Sequence, residues 1–129
     1  MGNEEIKRVL IVDDEIAFLM SCKKFMQCDK VSVDTVDTYD RALHYLGLNS
    51  YDAVISDIRL DRMNEKEGLS ILGHIKDKYP LTKVLMITGH GSNKIMREAA
   101  YLEADSYFEK PVSLNVLKGW LKLKGIHIT

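Results

Sequence analysis

Short unbroken apolar runs alternate along this chain with longer stretches whose apolar residues recur every three or four positions. Val9-Leu10-Ile11-Val12 is continuous and β-rich, as a strand covered on both faces of a parallel sheet should be, and predicts strand β1 at 9–12. The next stretch sets Ile16, Leu19, Met20 and Phe25 at helical spacing, with Cys22 and Cys28 on the same helix (α1). The acidic Asp13-Asp14-Glu15 before it suits the positive end of a helix dipole. Val31, Val33 and Val36 alternate with polar residues, predicting a more exposed strand (β2, 31–36). Thr38 then caps a helix carrying Ala42, Leu43, Tyr45 and Leu46 (α2), which Asn49-Ser50 breaks. The pattern repeats through Ala53-Val54-Ile55-Ser56 (β3), the stripe Leu69, Ile71, Leu72, Ile75 (α3) and Val84-Leu85-Met86-Ile87 (β4). It ends with Ile95, Met96, Ala99, Leu102 (α4), Ser106-Tyr107-Phe108 (β5) and a Ser113-capped helix with Leu114, Leu117, Trp120 and Leu121 (α5), closed by Gly125.

Uninterrupted strand–helix alternation predicts an α/β, doubly wound fold, a parallel sheet with helices on both faces, because crossovers between parallel strands are right-handed. Ligands of such sheets bind beyond the carboxyl ends of the strands. A chain of 129 residues, 46% hydrophobic, is long enough for one core and too short for two ordinary domains. With 18 basic and 19 acidic residues and a formal charge of −1, it has no overall positive field to hold a nucleic-acid backbone or an anionic membrane. No C-x-x-C or Cys/His ligand spacing is present, so both cysteines read as reduced, half-buried thiols. No apolar stretch approaches the length that crosses a bilayer. These features predict a soluble, cytoplasmic protein.

The polar residues that follow the strands change the picture most. Asp13 and Asp14 follow β1, Asp57 follows β3, Thr88 follows β4 and Lys110 follows β5, so the fold itself should gather them on one edge. Three carboxylates there would repel one another and raise one another's pKa, which makes a hard divalent cation with oxygen ligands their natural partner. Mg²⁺ fits best, since it keeps several waters and needs few protein oxygens. A cation so held can bridge a phosphoryl oxygen, with Asp57 as nucleophile, Lys110 neutralising one phosphoryl oxygen and the Thr88 hydroxyl donating to another. Taken singly, each residue could equally be a helix cap, a turn former or a loop residue. Caps alone do not account for an adjacent acid pair, a mid-chain Asp and a late Lys at successive strand ends.

Leu10-Ile11-Val12-Asp13-Asp14-Glu15, Val54-Ile55-Ser56-Asp57-Ile58-Arg59-Leu60, Met86-Ile87-Thr88-Gly89 and Tyr107-Phe108-Glu109-Lys110-Pro111 resemble, in order and setting, the receiver domains of two-component response regulators. The resemblance implies a flavodoxin-like (βα)5 fold with strand order 2-1-3-4-5; the order is implied by the family and not by the periodicity, and a receiver of this family is itself a standard illustration of it. It implies a receiver at 8–124 between an N-terminal tail at 1–7 and a C-terminal tail or linker stub at 125–129. By the same resemblance Asp13 and Asp14 are the acid pair, Asp57 the phosphoacceptor, the Arg59 backbone carbonyl a fourth metal ligand, Thr88 the switch hydroxyl and Lys110 the phosphoryl-binding cation. The Lys110-Pro111 bond is cis in the family. Mg²⁺, or Mn²⁺ in its place, is the implied cofactor. A sensor histidine kinase or phosphotransfer protein is the implied donor, and an output domain or protein target the reader. The role is that of a self-phosphorylating, self-dephosphorylating switch and not of an enzyme with turnover. Tyr107 matches the switch aromatic that turns inward as Thr88 moves, altering the α4-β5-α5 surface, through which family members can also dimerise. As a residue, Tyr107 reads equally well as a half-buried aromatic with its hydroxyl in water.

Two other chemistries fit less well. A phosphatase of the haloacid dehalogenase type needs a second Asp two residues beyond its nucleophile, where this chain has Arg59. A flavin or dinucleotide binder lacks its G-x-G-x-x-G after β1. The Thr88-Gly89-His90-Gly91 turn resembles receivers that head bacterial transcriptional activators. The chain departs from the family at 61–67, where the loop is about three residues longer than usual and crowded with charge, either a solvated loop or a contact for a partner. By the same resemblance Arg59 and His90 occupy positions that in this family border the path of a hydrolytic water; otherwise they read as two exposed side chains. Arg59→Ala and His90→Ala are each expected to change the lifetime of an aspartyl phosphate, and equal dephosphorylation rates in both variants and the parent protein would count against that role.

Overall fold

The computed structural model describes residues 5–58, 65–89 and 93–129. Within them the order is β1 (Lys7–Val12), α1 (Ile16–Met26), β2 (Val31–Val36), α2 (Tyr39–Leu48), β3 (Ala53–Asp57), α3 (Glu65–Lys78), β4 (Lys83–Thr88), α4 (Asn93–Tyr101), β5 (Ser106–Glu109) and α5 (Leu114–Leu123). The strands form one parallel sheet in the order β2-β1-β3-β4-β5, as the resemblance implied. Chain order reverses between β1 and β3. Their register pairs Val12 with Ser56, which sets Asp13 and Asp57, each one residue further on, side by side at the crevice where open α/β sheets bind ligands.

Alternation along the strands divides the core in two. Leu10, Val12, Val54, Val84 and Met86 face one layer, where Ala42, Leu46, Leu69, Ile71, Leu72, Ile75 and Ala99 cover them. Val9, Ile11, Ile55, Leu85 and Ile87 face the other, under Leu19, Cys22, Met26, Leu117, Trp120 and Leu121. Strands buried on both faces carry near-continuous apolar runs, which is why β1, β3 and β4 stand out in the sequence. The two predicted caps form: Thr38 Oγ1 accepts from the Arg41 N–H at 3.2 Å and Ser113 Oγ from the Val116 N–H at 3.1 Å.

The phase of α1 differs from the predicted one. Leu19, Cys22 and Met26 are buried, while Ile16 and Met20 lie on the exposed face. Three apolar residues four and three apart fit the sheet better than the wider set read from spacing. The helix ends at Met26, so Cys28 lies beyond it, exchanging backbone hydrogen bonds with Val31 in an isolated bridge. Helix α3 begins at Glu65, so 65–67 is helical and not loop. The rest of the expected insertion, 61–64, lies outside the described residues. After α5 the chain turns back at Gly125, with φ +84°, and Ile126 and Ile128 are buried in the α1/α5 layer.

One glycine is required by contact. A Cβ on Gly68 would overlap the backbone of Ile58, carbonyl oxygen included, so α3 can lie against the segment after Asp57 only where residue 68 lacks a side chain. Overpacking of this kind costs about 1–3 kcal/mol. Gly68→Ala should lower the urea midpoint accordingly with an unchanged m-value; an unaltered midpoint would show that the segment yields freely.

Candidate functional site

Every residue at this site stands where a strand stops. Asp13 follows β1, and its backbone N–H donates to the Val36 carbonyl at 3.1 Å, fixing the chain as it leaves the sheet. Its Oδ1 accepts the Glu15 N–H at 2.8 Å, a local turn that starts α1. Asp57 is the last residue of β3 and Thr88 the last of β4; both are buried. The Thr88 carbonyl accepts the Lys110 N–H at 2.8 Å, and the Lys110–Pro111 peptide is cis, as in the family.

At the centre is the Lys110 ammonium. Nζ donates to Asp13 Oδ2 at 2.8 Å, to Asp57 Oδ2 at 3.0 Å and to Glu15 Oε1 at 3.0 Å. It also lies 5.5 Å from the centroid of the Phe18 ring, within cation–π range. Oxygens of Asp13, Asp14 and Asp57 all lie within 4.8 Å of one another. Such a set of hard, anionic donors fits Mg²⁺ or a similar divalent ion and offers nothing to a soft one.

Burial and charge act together here. Burial pushes the Asp13 carboxyl above the ordinary Asp range and the charge of Asp57 adds to this; the bonds from Lys110 and from the Glu15 N–H offset only part of it. Burial pulls the Lys110 ammonium down, but its bonds to Asp13, Glu15 and Asp57 more than compensate and hold it above the ordinary lysine range. The Cys22 thiol beneath is pushed up to about 12, by burial first and then by Asp13, and is an inert core residue.

The fold therefore brings together Asp13, Asp14, Asp57 and Lys110, with Thr88 on the adjoining strand end. Tyr107, on β5 opposite Met86, has its ring half-buried and its hydroxyl out of solvent, and not in water as a plain surface tyrosine would. Arg59 and His90 lie outside the described residues. Two contributors were not read from the sequence, Glu15 and Phe18. Glu15 directly follows the acid pair and Phe18 lies three residues on, in the first turn of α1, and that spacing was the available signal. A groove of about 760 Å³ between α3 and α4, lined by Leu69, Gly73, Tyr101 and Leu102 among others, includes none of these residues.

The sequence profile of the response-regulator receiver domain matches residues 9–122. The chain belongs to this family. A Rickettsia bellii protein named as an NtrX-like response regulator is 35% identical to the receiver over 114 residues, 88% of this chain and 24% of that protein. The chain thus spans about a quarter of the length of the curated relatives it matches, which include transcriptional regulatory proteins. Among solved structures, a CheY-like receiver from Methanospirillum hungatei JF-1 superposes with a TM-score of 0.85 at 29% identity, covering 93% of this chain and 94% of that one. The beryllofluoride-activated NtrC4 receiver domain dimer gives 0.81 at 27%, covering 92% and 96%.

The raised Asp13 carboxyl has a consequence for stability. A carboxyl whose folded pKa lies above its unfolded one keeps its proton more tightly when folded, so the protein loses stability as pH rises through the folded value. Asp13→Asn keeps an Oδ1 acceptor for the Glu15 N–H and removes that loss. In chelator the variant should be more stable than the parent protein near neutral pH, the advantage vanishing below the unfolded carboxyl range near pH ~3.9. Mg²⁺ should stabilise the parent protein more than the variant. Urea titrations across pH with and without Mg²⁺ test both signs; an advantage that grows in acid would refute the first.

Proposed function

We propose that Asp57 is the phosphoacceptor of this receiver and that its modification is the signal. The observation that carries this reading is the Lys110 ammonium set between the Asp13 and Asp57 carboxylates, 2.8 and 3.0 Å away, beside three carboxylates spaced for one cation. A divalent cation held by Asp13, Asp14 and Asp57, Mg²⁺ or Mn²⁺, and by the Arg59 carbonyl as the family implies, would neutralise the carboxylates and draw charge from a phosphoryl oxygen. Asp57 attacks phosphorus through one oxygen: the new O–P bond forms as the donor's bond to phosphorus breaks, and the leaving group takes that electron pair. No proton need be removed, since the carboxylate is already the nucleophile. Lys110, fixed through the Thr88 carbonyl, meets the charge on one equatorial oxygen, and the Thr88 hydroxyl donates to another.

A histidine kinase or phosphotransfer protein supplies the group, and an output domain or separate protein reads the result. Thr88, drawn to the phosphoryl group, would leave room that Tyr107 takes, remodelling the α4-β5-α5 face. The same face offers a route to a homodimer, supported by the NtrC4 receiver dimer. Among the described residues no helix is long and apolar enough to cross a membrane, consistent with a receiver working in the cytoplasm. Arg59 and His90 tune the lifetime of the acyl phosphate, and with Arg59 where a phosphatase would carry an acid, Asp57 holds its phosphate as a signal. The switch is a stoichiometric acceptor without catalytic turnover on a separate substrate.

Incubation with Mg²⁺ and acetyl phosphate, followed by intact mass, should give one added phosphoryl group on the parent protein. None should appear on Asp57→Asn or in excess chelator, and labelling of Asp57→Asn to the same extent would move the acceptor elsewhere.

A further inference from the structure

Three hydrogens on the Lys110 ammonium meet three carboxylates, and only two of these belong to the cluster that would share a cation. Asp13 and Asp57 are buried members of that cluster; the third, Glu15, lies outside it. The Glu15 side chain is 64% exposed, yet Oε1 stands 3.0 Å from Nζ. It gives α1 no side-chain cap, because the hydrogen bond at that position runs from the Glu15 backbone N–H to Asp13. Among the described residues the Glu15 side chain bonds to Lys110 alone.

We propose that Glu15 is a brake on phosphorylation, a positioning residue that competes with the incoming phosphoryl group for the Lys110 ammonium. The inference rests on Asp57 being the phosphoacceptor. A phosphoryl oxygen arriving at Asp57 needs a hydrogen from Lys110, and all three are engaged. Release of the exposed Glu15 is the least costly way to free one, since exposed pairs are weak and screened. Until it leaves, Glu15 also adds a negative charge where an anionic donor must enter. Phe18, in the first turn of α1, holds the ammonium through its ring at 5.5 Å and takes no hydrogen from it. Lys110 therefore stays in place when Glu15 lets go, with Asp13 and Asp57 still beside it.

The test compares initial rates of phosphorylation by acetyl phosphate, at saturating Mg²⁺ and low ionic strength, read by intact mass. Glu15→Gln and Glu15→Ala are expected to react roughly two- to five-fold faster than the parent chain, the range an exposed ion pair allows. Half-saturating donor concentration should fall, and the advantage should shrink toward unity in high salt. Because the side chain caps nothing, melting temperatures should stay near that of the parent protein. If the parent chain takes up no phosphoryl group, the phosphoacceptor reading fails and this inference with it. If the parent chain is labelled and both variants react at its rate or slower, or their gain persists undiminished in high salt, the brake alone is overturned.

Discussion

Three carboxylates can stand at the carboxyl edge of this sheet because one ammonium stands among them. Unpaired buried charges of like sign are costly, and Asp13 and Asp57 are both buried. Lys110 answers both at once, within 3.0 Å of each. The Asp13 carboxyl is nevertheless raised, by burial first and by the charge of Asp57 in addition, and Lys110 offsets only part of this. Clustered carboxylates of this kind favour a bound divalent cation.

Lys110 comes from the end of an edge strand, so its position depends on how β5 is held. The strand is secured at both ends. At its start, Asp105 takes the Lys76 ammonium and the Val84 N–H, each at 2.7 Å, tying β5 to the end of α3 and the start of β4. At its finish the Lys110 N–H reaches the Thr88 carbonyl. Between them, Ser106 Oγ accepts the Trp120 indole N–H at 2.9 Å, binding the strand to α5. Thr88, Lys110 and α5 are thus linked through β5 by these hydrogen bonds.

The arrangement of strand ends was legible in the sequence, for a physical reason. A strand segment covered on both faces is mostly apolar, so β1, β3 and β4 appear as apolar runs, and the polar residues that close each run mark the sheet's edge. Asp13, Asp57 and Thr88 could be placed there before any coordinates. Strand order was not legible this way: periodicity identifies a strand and says nothing of its neighbours, and 2-1-3-4-5 came from resemblance. Amphipathic helices were found but not always phased, as in α1, where exposed Ile16 and Met20 satisfy the same spacing as the buried set.

What the sequence determined by itself was local: which segments are strands and helices, where they are capped, and which polar residues follow which strand, because hydrophobic period and capping chemistry act over a few residues. Tertiary structure alone decided what meets what. Glu15 and Lys110 are 95 positions apart, and nothing in either neighbourhood states that they touch; nor does Gly125 announce that the chain returns to bury Ile126 and Ile128. Those contacts arise when parallel strands fix the distances between their ends, and a distance between remote residues is set by packing the whole domain.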